Sequence, residues 1–482
     1  MVTEMKDGDR SGADVASVEQ EALQAFRGGL RGETLAGADP GYDAARQVWN
    51  GMIDRRPGLI VRCSGVADVI DAVNFARDHG LLVSVRGGGH NVAGTAVCDG
   101  GLMIDLAPLD WVRVDPEART ARAGGGATWG AVDRETQAFG LATAGGVVST
   151  TGIAGLTLGG GLGWLRRKHG LSCDNLLSVD VVTADGRHRT ASESENPDLF
   201  WAIRGGGGNF GVVTSFEYRL HPVGPMVMLC APVYAAEPAG AARDVLRGWR
   251  DYVATAPDEV SAEVLFWTVP ADHGFPEEAV GRRVIIPAAV AVGPLEEGER
   301  LVQPLRELGT PLADLSSPAP YSAVQTGFDG LFPKGELNYY WRSLYLDGLG
   351  DDLVDLLVER GVDRPSPSTL VGLWQLGGAM SRVPADATAF GRRDMPYLLS
   401  IDSTWSDPSE TDRNVGWNRA LWAEMHAYSS GASYLNFPGL GEEKEALVRA
   451  AYGDNYARLV ELKDRYDPGN LFRLNQNIPP SK

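Results

Sequence analysis

Ser84-Val-Arg-Gly-Gly-Gly-His-Asn-Val-Ala-Gly94 is the stretch on which the reading of this chain turns. Residues 81–85 have the apolar, β-branched texture of a strand, and three glycines and a histidine follow almost at once. Three successive residues without Cβ let backbone N–H groups converge on one concavity, a nest for pyrophosphate or another anion, and Arg86 adds positive charge beside it. A tight turn carrying a structural histidine is the other reading of the same residues. The surrounding sequence has to decide between them.

Upstream, residues 59–63 read as a strand, and Val66, Val69, Ile70, Val73 and Ala76 recur at helical spacing before Gly80 ends the run. This predicts a β-α-β unit whose second strand runs directly into the glycines. Downstream, strands are expected at 102–106, 120–123, 177–183 and 212–220, with a helix after Thr128. Glycine is concentrated here: Gly87 to Gly211 holds 26 glycines in 125 residues, against 35 in the other 357. Such a density among good strand and helix formers suits close approach of backbone to a ligand. The fold class is therefore α+β. A helical extension (1–38, helix around 18–26) precedes a first domain at 39–221. Beyond Pro222 a second domain at 222–430 should place strands near 337–346, 370–376 and 398–405 in an antiparallel sheet covered by helices such as 242–254. A C-terminal segment, 431–482, has a helix near 455–466 and a polar tail expected to return to the first domain.

The chain has 482 residues, too many for one core. A net charge of -19 repels polyphosphates, so nucleic acid is not an expected partner. The polar, acidic start lacks a secretory pattern and no apolar run is long enough to span a bilayer, so the expectation is a soluble, cytoplasmic protein, monomeric or homodimeric. Four cysteines without CxxC spacing and seven scattered histidines without HExxH predict neither a disulfide framework nor a catalytic metal. Gly206-Gly-Gly-Asn-Phe-Gly211 formally matches GxGxxG, but a strand follows where the dinucleotide fingerprint needs a helix, which argues against a nicotinamide site.

Four blocks in order, RGGGHN (86–91), GVVSTTGIAGLTLGGGLGWLRRKHGL (146–171), PDLFWAIRGGGGNFGVVTSFEYRL (197–220) and YDPGNLFRLNQNIPP (466–480), resemble the berberine bridge enzyme-like FAD-linked oxidases, which have the vanillyl-alcohol oxidase type of fold. The resemblance spans about residues 42–480. It implies that the first domain and the tail bind FAD and that His90 carries the flavin covalently, a role open to an imidazole that is mostly neutral at pH 7. The implied cofactor contacts are Arg86, Gly87, Gly88, Gly89, His90, Asn91 and Gly94; Thr150, Thr151, Gly152, Gly155, Gly160, Gly161 and Gly163; Val212 and Val213; and Asn475 and Asn477. Close packing of helix on strand is the alternative use of the glycines in the second block. Many members have a second link through a cysteine, whose position here is Val148, and Cys173 lies 25 residues further on. One covalent link is expected.

For catalysis, Tyr434 matches the tyrosine that acts as base in several members, and in a strand over 433–437 Asn436 would share its face. The alternative is a tyrosine that only packs against the flavin. In residues 337–345, Tyr339, Trp341 and Tyr345 fall on one face and Tyr340 and Arg342 on the other; Arg342 is taken as a catalytic candidate from this pair of faces. Where members often have an acid or second tyrosine on strand 371–376, this chain has Trp374 and Gln375. The resemblance implies oxidation of a small organic substrate, such as an aromatic or polyketide intermediate of secondary metabolism, with dioxygen as acceptor. A dehydrogenase with another acceptor, a sugar or alkaloid oxidase, and a non-catalytic metabolite-binding flavoprotein are the competing expectations.

Overall fold

Strand Leu59–Arg62, helix Val66–Asp78 and strand Val83–Arg86 form the expected β-α-β unit in the computed structural model, which describes residues 12–271, 275–440 and 445–482. All elements below belong to those residues. The helix turns Val69, Ala72, Val73 and Ala76 inward, each 0% exposed, and Gly80 leaves it with φ of 61°, a conformation that favours glycine. Strand Leu102–Asp105 inserts between the two strands, parallel to both, so Arg86 lies level with Asp105. Residues before 39 hold more than a helix: strand Glu33–Leu35 pairs with Leu59–Arg62, and Phe26 of helix Gln20–Gly29 stacks on Phe75.

A second, antiparallel sheet completes the first lobe in the order Val112–Asp115, Thr120–Gly124, Val212–Arg219, Leu176–Val182, His188–Ser192. Its central strand starts right after Gly211, the geometry that a nicotinamide fingerprint excludes.

The second lobe is a nine-stranded antiparallel sheet in which Arg283–Ala291, Val260–Thr268, Leu370–Gln375 and Tyr397–Trp405 follow one another and Asn338–Leu346 forms the edge beyond Tyr397–Trp405. Alternation along these strands sorts the side chains. Val264, Phe266, Leu344, Val371, Leu373, Leu399 and Ile401 pack in one apolar layer that includes residues of helices Ala239–Val253, Leu295–Arg306, Asp351–Val362 and Thr411–Met425. Glu263, Leu265, Trp341, Leu370, Trp374, Ser400 and Asp402 face the first lobe. Among the described residues no helix is long and apolar enough to cross a membrane. All four cysteines are buried and unbonded.

Two fastenings set the lobes and the tail in place. From the short helix Arg166–His169 of the first lobe, Arg166 donates to the carbonyls of Gln375 and Ala262, Arg167 to those of Val260, Leu376 and Ala256, and Lys168 to that of Val292. In the tail, Lys463 and Asp467 form a fully buried pair at 2.7 Å. Lys463 also donates to the carbonyls of Asn209 and Phe472, and Asp467 accepts the N–H groups of Leu471 and Phe472. The tail thus returns to the first lobe, where Ile478 is 0% exposed. Removing one partner of such a pair leaves a buried charge uncompensated, so Lys463→Met should lower stability by about 3–5 kcal/mol. The urea midpoint measures it, and an unshifted midpoint would refute the fastening.

Candidate active site

A long cavity runs between the lobes, from the end of strand Val83–Arg86 to the sheet wall of the second lobe and the tail residues Leu474 to Gln476. The glycine-histidine segment enters it as the sequence suggests: Gly87, Gly88, Gly89, His90 and Asn91 all line it. His90 has a threonine hydroxyl at each ring nitrogen, Thr150 Oγ1 at 3.0 Å from Nε2 and Thr151 Oγ1 at 3.5 Å from Nδ1. Burial, with the positive charge of Lys334 nearby, pushes its pKa down to about 3. A neutral imidazole keeps one nitrogen lone pair available as a nucleophile.

The other expected cofactor residues divide. Thr151, Gly152, Gly155, Val212, Val213 and Asn475 line the cavity, as does Val148. A Cβ on Gly155 would meet nothing within 4 Å, so no neighbour demands a glycine there and its bare backbone faces open space. Gly160, Gly161 and Gly163 instead serve packing: a Cβ on Gly163 would stand 1.7 Å from the Gly145 carbonyl, on Gly160 2.6 Å from the Phe390 ring and on Gly161 2.2 Å from Ser172 Oγ. Gly94 likewise makes room for Ile53. Both uses considered for the glycines occur, at different positions. Arg86 is a correction, because Asp105 on the adjacent parallel strand holds it in a buried pair at 2.5 Å, turned away from the cavity. In the tail, Asn475 and Asn477 each have a buried Oδ1 without a hydrogen-bond partner, acceptors that suit the donors of a ligand. Cys173 is 0% exposed, packs in an apolar cluster with Leu162, Tyr345 and Tyr434, and does not itself line the cavity.

Tyr434 lines the cavity beside Asn436. Residues 433–437 are not the expected strand. They form an irregular turn closed by the Phe437 N–H donating to the Tyr434 carbonyl at 2.9 Å, alongside edge strand Asn338–Leu346. The turn still places the two side chains together: Asn436 Nδ2 donates to the Tyr434 hydroxyl at 2.8 Å, as do the backbone N–H groups of Gly161 at 3.1 Å and Leu162 at 3.3 Å. Burial pushes the phenol up to about 12, and these three donors pull against it. Arg342 is a second correction. Its guanidinium lies 3.7 Å from the centre of the Trp422 ring, on the helix-covered face of the sheet, because alternation gives the cavity face to Trp341.

Four residues at the site escape the sequence reading. Trp49 stacks on His90 (4.5 Å between ring centres) and on Tyr339 of the second lobe (3.6 Å). Asn50 bridges the lobes, donating to the carbonyls of Val92 and Tyr339 and accepting the Tyr339 N–H. Glu263 and Asp402 bring two carboxyls to the cavity wall where Trp374 and Gln375 were the expected features. Trp374 does line the cavity; Gln375 points away, to the carbonyl of Val253. Burial raises Glu263 to about 7, against the pull of Arg166, and Asp402 to about 8.

Comparison with known proteins agrees with this geometry. Residues 57–192 match the FAD binding domain family and residues 433–479 the berberine and berberine-like family. An uncharacterized FAD-linked oxidoreductase of Bacillus subtilis, YgaK, is 31% identical over 464 residues, covering 94% of this chain and 97% of that protein. (R)-6-hydroxynicotine oxidase of Paenarthrobacter nicotinovorans is 32% identical over 473 residues, covering 94% and 97%. Among solved structures, 6-hydroxy-D-nicotine oxidase from Arthrobacter nicotinovorans superposes with a TM-score of 0.81 at 29% identity, covering 94% of this chain and 98% of that one. The berberine bridge enzyme-like protein 1 of Physcomitrella patens, at 24% identity and a TM-score of 0.84 over 96% and 99%, shares the fold.

The raised value of Asp402 has a consequence for stability. The folded state holds its proton far above the ordinary aspartate value of about 3.9, so the contribution is full below that value and is lost as pH rises towards 8. Asn has no such proton. Asp402→Asn should therefore gain on the natural protein by about 2–4 kcal/mol between pH 5 and pH 8 in urea unfolding; a pH-independent difference would contradict the burial assigned to this carboxyl.

Proposed function

Because the chain belongs to the berberine-like family of FAD-linked oxidoreductases, we propose that it is an oxidase holding FAD by one covalent bond to His90 and acting on a small organic substrate, with dioxygen as acceptor. The observation that carries this reading is the neutral His90, flanked by Thr150 and Thr151, at one part of a cavity that holds Tyr434 at another. The cavity suits the cofactor in three respects: glycine backbone faces it at Gly87 to Gly89, Gly152 and Gly155; Asn475 has an unmet acceptor; and its walls are largely apolar. Val148 stands where a second attachment would need a thiol, and Cys173 is sealed in its own cluster.

When bound, FAD would supply a two-electron acceptor for a hydride from the substrate, with dioxygen as the terminal oxidant. The protein's part is to hold and to move a proton. A phenol oxygen has two lone pairs and a phenolate three, so the three N–H groups that converge on Tyr434 match its ionised form. Tyr434 accordingly takes the proton that the substrate must lose, its oxygen steadied by Asn436 and two backbone amides. Trp341, Trp374 and Phe437 give the site apolar walls, which disfavour water that would compete for that proton. The apolar walls suit an aromatic substrate.

Intact mass of the denatured protein tests the attachment: the natural chain should carry the mass of one FAD, His90→Ala should carry none, and unmodified mass from yellow natural protein would sink the covalent bond. For the base, kcat/KM should climb with pH through the range 7–10 as the phenolate fraction grows. Tyr434→Phe should lower it by roughly 10²- to 10⁴-fold and abolish that slope while retaining flavin. A variant with natural kcat/KM would remove Tyr434 from the reaction.

A further inference from the structure

A second, smaller pocket lies apart from the cavity, where helix Trp129–Gln137 of the first lobe meets helix Tyr321–Gln325 of the second. Asp133, Ser149, Ser322, Gln325 and Thr326 line it with oxygen-bearing side chains. Asp133 is 2% exposed and Gln325 1%. The Gln325 amide nitrogen donates to Asp133 Oδ2 at 3.0 Å and to the Gly146 carbonyl at 2.9 Å. Turning the amide over would set its oxygen against that carbonyl, so the network fixes its orientation. Gln325 Oε1 and Asp133 Oδ1 are then both buried without a hydrogen-bond partner. Buried polar atoms in folded proteins are almost always paired, so two open acceptors in one pocket point to something bound between them.

The charges nearby say what it is. Among the described residues no cationic side chain pairs with Asp133, whose only hydrogen bond is the one from Gln325. Arg134, next to it on the same helix, is exposed. On the facing helix Tyr321 is fully buried and keeps its proton, its pKa raised well above the ordinary value by burial and by Asp133. Asp329, further along, accepts the N–H and the hydroxyl of Ser149. None of these offsets an ionised Asp133, and burial lifts its carboxyl to about 7. A water would fill the two acceptors and leave the charge; a cation answers both. The hydroxyls agree, because Ser149 donates to Asp329 and Thr326 to the Ala323 carbonyl, which leaves their oxygens with lone pairs alone to offer. One carboxylate among neutral oxygens suits a single positive charge. Divalent and transition ions call for more charged or softer ligands, and among the described residues no group of three histidine, cysteine or acidic side chains could hold one.

We propose that this pocket binds a monovalent cation, of the class of potassium, sodium or ammonium, with Asp133 and Gln325 as its buried ligands. The ion lies behind the loop of His90: Gln325 holds the Gly146 carbonyl of that loop, and Ser149 directly precedes the two threonines that flank the imidazole. It fastens the two lobes at this point, whatever the cavity in front of the loop oxidises.

Calorimetric melting of the purified, flavin-loaded protein at pH 8.5 tests the site. Potassium, sodium and ammonium chloride are each compared at equal ionic strength with tetramethylammonium chloride, whose methyl groups keep its charge from close contact with oxygen. At least one of the three should raise the melting temperature by about 2 °C or more, in a manner that saturates with concentration. Asp133→Asn, which keeps the shape and removes the charge, should abolish that rise, and Gln325→Met should weaken it. A melting temperature indifferent to the cation overturns the proposal, with a water between the two acceptors or a retained Asp133 proton donated to Gln325 as the explanation. An ion-specific rise that survives Asp133→Asn overturns it as well. If Asp133→Asn fails to fold, Gln325→Met decides in its place, and an undiminished rise there counts against the site.

Discussion

Everything that faces the cavity depends on a row of cations driven across the boundary between the lobes. Arg166, Arg167 and Lys168 leave one short helix and donate to backbone carbonyls of strands and strand ends in the other lobe. Carbonyls at such positions would otherwise meet only apolar side chains, and guanidinium groups buried without acceptors would be equally unfavourable. Each side satisfies the other. The arrangement holds the second-lobe sheet at a fixed distance from the glycine loops, because N–H···O bonds tolerate little stretching. It also leaves Arg166 close enough to Glu263 to matter electrostatically without pairing with it.

Legibility of the chain follows the physics of each region. The first lobe could be read because its strands alternate with a well-spaced helix and its ligand loops are written in glycine, which has few other uses at that density. The second-lobe strands Val260–Thr268 and Arg283–Ala291 went unread because both of their faces are covered, so alternation is replaced by nearly continuous apolar runs. Glu263 was hidden with its strand. The same double coverage explains Arg342: period two correctly separated Trp341 from Arg342, but with helices on one side and the cavity on the other, sequence could not say which face met the ligand. Arg86 failed for a different reason. Its partner Asp105 is reached only through the insertion of a third strand between two others, a topological fact absent from local pattern. Tyr434 and Asn436 were paired correctly though the turn that joins them was not foreseen.

The two lobes contribute unlike things to the site. From the first come backbone and small hydroxyls, which shape space and hold a large ligand by many weak contacts. From the second come Trp341, Trp374, Glu263 and Asp402, side chains on the face of the sheet opposite its helix-covered layer. Trp49 and Asn50 join the two sets, so the position of His90 is sensed by the strand that carries Trp341.

Residues 434–478 supply the Tyr434 hydroxyl, two acceptor side chains and the buried lysine that pins them. A ribosome releases these residues after the glycine loops have long been synthesised, and domains generally fold in order of emergence. The first lobe must therefore wait, with part of its core and one wall of its cavity missing, until Tyr434 to Ile478 arrive. Completion of the cavity is thereby a late step in the folding of the polypeptide.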